Sequence, residues 1–324
     1  MYTTTELQQR FYNYLQANVF TKAPKELYEP VDYILSLGGK RMRPILLLRA
    51  YDMFGDEEVE AALPAAMAVE VFHNFSLLHD DIMDDAPLRR GKPTVHEKWN
   101  ANTAILSGDV MLIEAYRFLM KTDKPGILPK LLHRFNTMAV QVCEGQQYDM
   151  NFETRTDVTV AEYLKMIEYK TAVLLAASMY MGALIGGAQE EDAHHLSEFG
   201  RNIGIAFQLQ DDILDSFGDP EKFGKKVGGD ISRNKKTYLL LRAYEQADAR
   251  REKELDDWMA SKEEPKKIPA VKAIYREMGV KKDAEQTMRT YAERAYEHLE
   301  LVSIASKYKQ PLRQMAEELM QRES

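Results

Sequence analysis

The sequence predicts an all-α protein with one helical core and a smaller helical region towards its C-terminal end. Apolar residues recur at spacings of three and four through most of the 324 residues, which is the period of one helix face. Strand signals are scarce. Glycine and proline interrupt the pattern at few places.

In chain order, the pattern predicts helices over 5–18, 26–37 and 42–53, with "LGGKRMRP" at 37–44 interrupting before the third. A fourth, over 57–84, contains "DEEVEAALPAAMAVEVF". Its acidic residues lie at the positive end of the helix dipole, and Pro64 is expected to kink or split it. "APLRRGKPT" at 86–94 precedes a helix over 97–121, and another follows over 126–152. Thr159 stands three residues before Glu162. That capping-box spacing starts a helix over 160–186. A helix over 190–217 runs into the glycine-bearing "FGDPEKFGKKVGGDISRNKKT" at 217–237. Helices over 234–248, 250–261, 265–278, 281–303 and 307–322 complete the chain. No stretch has the composition of an interdomain linker, so residues 1–324 are expected to form a single domain.

A formal charge of −8 and a pI near 5.5 argue against broad nucleic-acid binding. The start, "MYTTTELQQRFYNYL", has no basic region followed by an apolar run, so no secretory signal is expected. One cysteine, Cys143, excludes an internal disulfide framework and a cysteine-rich zinc site. It reads as a small buried apolar group in a protein of the reducing cytoplasm. The uncharged stretch 171–189, "TAVLLAASMYMGALIGGAQ", approaches the length of a membrane span. Its small and polar residues fit a buried core helix, and no membrane span is expected.

Two acidic clusters stand out: "LLHDDIMDD" at 77–85 and "LQDDILDSF" at 209–217. Each reads Asp-Asp, two apolar residues, Asp. On a helix Asp80 and Asp84 point nearly the same way, about 6 Å apart along the axis, with Asp81 to one side. Asp211, Asp212 and Asp215 repeat the arrangement. Either triad offers only hard oxygen ligands and suits Mg²⁺ beside a ligand phosphate. Each ends a strongly apolar helix, preceded by "VFHNFSLL" or "IGIAFQL". Six carboxylates facing a common space would repel one another, and divalent cations with an anionic ligand resolve that conflict. The two clusters are therefore expected to form one divided metal site.

Cations accompany both clusters. Arg89 and Arg90 follow the first; Lys222, Lys225, Lys226, Lys235 and Lys236 follow the second; Lys40, Arg41 and Arg43 form another patch. Arginine grips phosphate with a planar fork and lysine acts as a mobile point charge. The chain has no GxxxxGK[ST] loop and no strand–GxGxxG–helix unit. Kinase signatures are absent as well. A phosphohydrolase is disfavoured, because the helices beneath the acids present Phe, Leu, Ile and Met rather than a path for water.

"GGKRMRP" at 38–44, "DDIMD" with "RRG", "GQQYD" at 145–149, "KTA" at 170–172, "FQLQDDILD" at 207–215 and "FGKKVGGDISRNK" at 223–235 occur in this order. Together they resemble the trans-prenyl diphosphate synthases, which make geranyl, farnesyl, geranylgeranyl and longer diphosphates. The resemblance covers nearly the whole chain. It implies the isoprenoid synthase fold, a large helical bundle around a central hydrophobic cavity, in a homodimer. It also implies three Mg²⁺ ions held chiefly by Asp80, Asp84, Asp211 and Asp215, with Asp81 and Asp212 close by. Arg89, Lys170, Lys225 and Lys235 would contact the allylic diphosphate. Lys40, Arg43, His73 and Arg90 would bind isopentenyl diphosphate. Gln146 and Gln208 would lie near the reacting groups or metals, and Thr171 at the cavity mouth. His73 precedes Asp80 by seven residues and Gln208 precedes Asp211 by three, spacings that put each on its cluster's side of the helix.

The implied reaction is loss of diphosphate to an allylic cation, then head-to-tail attack by the double bond of isopentenyl diphosphate. Phe75 and Ser76, five and four residues before Asp80, mark the expected floor that limits chain length, with Phe72 and Val71 as possible contributors. They favour a C20 product, with C15 the alternative. Rival readings are a terpene cyclase, a head-to-head synthase, an inactive regulatory partner and a non-enzymatic helical scaffold.

Overall fold

The computed structural model describes residues 1–55, 58–122, 124, 126–219 and 227–320. The chain divides into two compact units. The first comprises Met1–Ala139, Leu174–Ser197 and Leu299–Leu312; the second comprises Val140–Val173, Glu198–His298 and Arg313–Ser324.

The first unit opens with α1 (Thr4–Ala17), α2 (Lys25–Ser36), α3 (Met42–Asp52) and α4 (Leu63–Met83). Thr3 and Glu6 cap α1 reciprocally. The sequence places one helix over 57–84. The structure instead has a 3₁₀ turn, Val59–Ala62, before α4, and Pro64 sits in the first turn of α4. Proline lacks an N–H that this position does not need, so Pro64 starts the helix and leaves it unkinked. The run Val59–Met83 is long and apolar enough to cross a membrane, but 72% of its most apolar window is buried within the protein. Met67, Val71, Phe72 and Leu78 are its inward side chains. It packs most extensively on α6 (Ala101–Leu119).

Between α4 and α6 lie a hairpin, which no strand pattern in the sequence announces, and the short α5 (Val95–Lys98). Strands β1 (Leu88–Arg89) and β2 (Lys92–Pro93) pair antiparallel, Leu88 opposite Pro93. The turn residues Arg90 and Gly91 have φ of 53° and 73°. Positive φ at both central positions is the type I′ hairpin geometry, which glycine adopts without steric cost. The helix expected over 97–121 therefore begins later, where the Asn100 side chain accepts the Thr103 N–H at 2.9 Å. The unit's other helical parts include the first half of α7 (Leu128–Thr154), nearly all of α9 (Val173–Ile185) and the start of α10 (Glu190–Phe217).

The second unit contains the rest of α7 and α10, with α8 (Val160–Ile167) between them. The Thr159–Glu162 capping box forms as expected. One feature is absent from the sequence reading: a π-helical turn, Glu168–Ala172, joins α8 to α9. Then follow α11 (Gly229–Ser232), α12 (Tyr238–Gln246), α13 (Ala249–Ala260), α14 (Glu264–Glu277) and α15 (Val280–Leu301), before α16 (Ser306–Met320). Their apolar faces share a core that includes Ile205, Leu209, Leu239, Leu255, Val271 and Ile274. Cys143 corrects the sequence reading. It is exposed, because Val142 and Gly145 take the inner face of α7 and Cys143 lies about 100° away from Val142.

Candidate active site

In the first unit the three aspartates of "DDIMD" are not equivalent. Asp81 is 3% exposed. Its carboxylate accepts two bonds from Arg89, from Nε at 2.7 Å and Nη2 at 2.6 Å. Burial raises its pKa above the ordinary carboxyl value, with the Arg89 pair pulling the other way. Asp80 is half-buried and Asp84, the C-terminal cap of α4, is exposed. The Arg89 fork reaches only to 4.0 Å of Asp80. Thus the middle aspartate orients the arginine, and the outer two remain on the solvent side of the helix end.

The cation patch gathers around His73. The Arg43 guanidinium lies 3.1 Å from His73 Nε2. Arginine only donates, so Nε2 accepts and the imidazole proton sits on Nδ1. Burial holds the His73 pKa well below its ordinary value, and Arg43, Arg90, Arg89 and Arg41 add to the effect. His73 is therefore neutral near pH 7. Burial lowers Arg43 to about 10, and its Nε is buried with no hydrogen-bond partner among the described residues. Arg90 bonds the Gly38 carbonyl, and Arg41 bonds Glu70 and the Leu35 carbonyl. Lys40 is exposed. Glu70 and Asp81 offset two of these four guanidiniums, and an anionic ligand would offset the rest.

Below this end of α4 stands an aromatic stack. Phe75, 9% exposed, lies 4.9 Å from the His79 ring and 5.5 Å from Phe72. Phe72 in turn packs edge-on at 5.3 Å from Phe135, which meets Tyr116 at 5.0 Å. The Ser76 hydroxyl turns back to donate to the His73 carbonyl at 2.8 Å.

The second unit repeats the division of labour. Asp212 is 4% exposed. It accepts the Tyr163 hydroxyl and, at 3.3 Å, the Tyr238 N–H. Burial, with Asp230 adding, pushes its pKa up to about 7 against those donors. Asp211 and Asp215 are half-buried, and Asp215 accepts the Asp230 N–H at 3.0 Å.

The π turn carries Lys170 and Thr171. Lys170 Nζ donates to Asp149 at 2.6 Å, and Thr171 lies 3.4 Å from Gln208 Oε1. Burial would raise Asp149, but Lys235 and Lys170 outweigh it and lower its pKa. Gln146 is half-buried one helical turn before Asp149. Glycines make room for the turn. A Cβ at Gly145 would lie 2.7 Å from Lys170 Cα, and one at Gly204 would lie 2.7 Å from Ala172 Cα. Of the predicted residues, Lys225 lies outside the described residues, as do Lys222 and Lys226.

Sequence reasoning missed Asp149, Tyr163 and Tyr238. Asp149 was visible inside "GQQYD", three residues after Gln146 on one face. The tyrosines carry no local signal, because each meets Asp212 from a distant part of the chain.

Within each unit the donors suit a hard cation. Asp80 with Asp84, and Asp211 with Asp215, offer oxygens at i and i+4, while their middle neighbours are engaged inward.

The polyprenyl synthetase family pattern matches residues 24–278, a span that runs through both units. A geranylgeranyl diphosphate synthase of Methanosarcina mazei is 46% identical over 223 residues, 68% of each chain. A short chain isoprenyl diphosphate synthase of Methanothermobacter thermautotrophicus is 37% identical over 300 residues, 93% of this chain and 91% of that one. Among solved structures, a geranylgeranyl pyrophosphate synthase matches with a TM-score of 0.94 and 46% identity over 100% of both chains. That of Pyrococcus horikoshii matches with 0.92 and 33% identity, over 98% of this chain and 97% of the other. The all-α isoprenoid synthase fold, the two aspartate-rich helix ends and these likenesses agree, and the chain belongs to the polyprenyl synthetase family.

Proposed function

We propose that this chain is a trans-prenyltransferase that condenses isopentenyl diphosphate head-to-tail with allylic diphosphates, giving geranylgeranyl diphosphate (C20) as its main product. The observation that carries the reading is the gathering of Arg41, Arg43, Arg89 and Arg90 around neutral His73 beside an acidic helix end. Such a group of cations fits an anionic ligand as dense as diphosphate. The relatives named above are geranylgeranyl and short-chain synthases, and a geranylfarnesyl diphosphate synthase of Natronomonas pharaonis is 41% identical over 69% of this chain and 70% of that one. The farnesyl alternative is therefore the weaker one.

In this reading residues 1–324 act as one synthase domain, and the family resemblance assigns both acidic clusters to one allylic diphosphate. Asp80 and Asp84, with Asp211 and Asp215, would hold Mg²⁺, three ions by family resemblance, which neutralises charge on the departing diphosphate. Arg89, aimed by Asp81, grips the same group. Family resemblance assigns Lys170, Lys235 and Lys225 to the same group. Arg43, held by His73, brings its unsatisfied Nε to isopentenyl diphosphate, with Arg90 and Lys40. Thr171, Gln208 and Gln146 face the allylic carbons, where hydroxyl and amide oxygens stabilise developing positive charge. The apolar stack excludes water that would capture the cation. The proton lost after carbon–carbon bond formation leaves to the released diphosphate.

Incubation with Mg²⁺, an allylic diphosphate and isopentenyl diphosphate should release diphosphate and yield a longer prenyl chain. Release without a new carbon–carbon bond overturns the synthase reading. Product length is assigned to the stack at Phe75. Phe75→Ala should lengthen the product at a stability cost of about 3 kcal/mol. An unchanged product distribution from a folded, active variant removes Phe75 from that role.

A homodimer fits α6. Leu106 and Ile113 of α6 and its C-terminal cap Met120, spaced by seven, are 59%, 59% and 62% exposed. A two-fold partner would cover such a stripe. A monomer in sedimentation at micromolar concentration would refute this pairing.

A further inference from the structure

We propose that Asp85, His96 and Glu97 form a second divalent-cation site, of the zinc class, at the base of the arginine hairpin and distinct from the carboxylate pair Asp80–Asp84. The ligand atoms of the three residues all lie within 4.8 Å of one another. In a tetrahedral zinc site with bonds near 2 Å, ligand atoms stand roughly 3.3 Å apart, so small side-chain rotations close the set.

An exposed acidic pair would mean little by itself. The second observation is His96. Its side chain is only 9% exposed, and both ring nitrogens are buried without a hydrogen-bond partner among the described residues. A neutral imidazole has one N–H and one lone pair to satisfy, and buried polar atoms are nearly always bonded. The Glu97 Oε1 atom is 3.8 Å from Nε2, beyond hydrogen-bond length. A cation set between imidazole and carboxylates supplies what the nitrogen lacks. One nitrogen and two carboxylate oxygens, with water in the fourth position, match zinc-like ions; magnesium prefers an all-oxygen shell.

The hairpin brings these residues together from opposite sides of its loop. Asp85 leaves α4 with φ of 47°. The Thr94 N–H donates to the Pro87 carbonyl at 3.1 Å, and the Thr94 hydroxyl donates to the Ala86 carbonyl at 2.7 Å. Asp85 and His96 stand just outside those bonds. A bound ion would therefore fasten both ends of the loop that presents Arg89 to Asp81 and Arg90 to Gly38. The binding itself does not depend on the proposed prenyl transfer, so its failure and the failure of that reading are separable.

The test is titration calorimetry of Zn²⁺ into the full chain with Mg²⁺ in excess to occupy the hard carboxylate pairs. The expected result is one zinc equivalent, weakened ~10-fold or more by His96→Gln and by Glu97→Gln, in line with the loss of a ligand or its close support, and retained in Asp84→Asn. Glu97 is exposed, so its variant keeps the test valid if His96→Gln misfolds. Absence of zinc binding, binding unchanged in Glu97→Gln, or binding lost in Asp84→Asn overturns the site.

Discussion

Asp80→Asn is expected to lower the condensation rate about 10³-fold while leaving the ligand-free protein as stable as the parent. The amide keeps one acceptor oxygen but loses the charge that a hard divalent ion requires. The Asp80 side chain is 20% exposed, so the amide that replaces it stays in reach of water. Asp81→Asn should behave differently. It breaks a two-bond grip on Arg89 and should cost about 1–3 kcal/mol of stability. The lower end applies because the Arg89 side chain is 22% exposed and water can reclaim it. Melting curves with and without Mg²⁺ and a bisphosphonate separate the two variants. The Asp80 variant should melt normally and lose the Mg²⁺-dependent shift; the Asp81 variant should melt lower throughout. Near-parental turnover in Asp80→Asn would remove that residue from the metal-binding role.

Gly145→Ala is expected to lower turnover about 10²-fold, the scale of effect that follows a 1 Å misplacement near reacting groups. The added methyl would press on backbone, 2.7 Å from Lys170 Cα and from the Tyr169 carbonyl carbon. No side-chain rotation relieves that. Either α7 withdraws or the π turn shifts, at about 1–3 kcal/mol, and Lys170 and Thr171 move with it. Cys143→Ala, on the exposed face of the same helix, should change neither rate nor melting temperature. Equal rates for the two alanine variants would show that the π turn tolerates displacement.

Long helices were legible because burial imposes a period, and the observed ends of α1, α2, α7 and α10 fall within two residues of the expected ones. The π turn was not, because its extra residue is a response to packing against Gly145 and Gly204 rather than to any local preference. The hairpin was hidden for a different reason: two residues per strand are too few for alternation to register. At the acidic clusters, spacing alone separated Asp81 from Asp80 and Asp84 by helix angle. It could not show that Asp212 is tied to Tyr163 and Tyr238, 49 and 26 residues away. Cys143 misled because cysteine's general tendency to be buried outweighed its place on the outer side of α7.

The aromatic stack begins at Phe75, about 7.5 Å along the α4 axis from Asp80. Its members Phe72, Phe135 and Tyr116 bond to none of the carboxylates or guanidiniums described above. With the chain-length role proposed for Phe75, isoprenoid size would be uncoupled from catalytic rate. Trimming this one cluster in successive steps would give a graded series of catalysts that differ in output and share a single reaction centre.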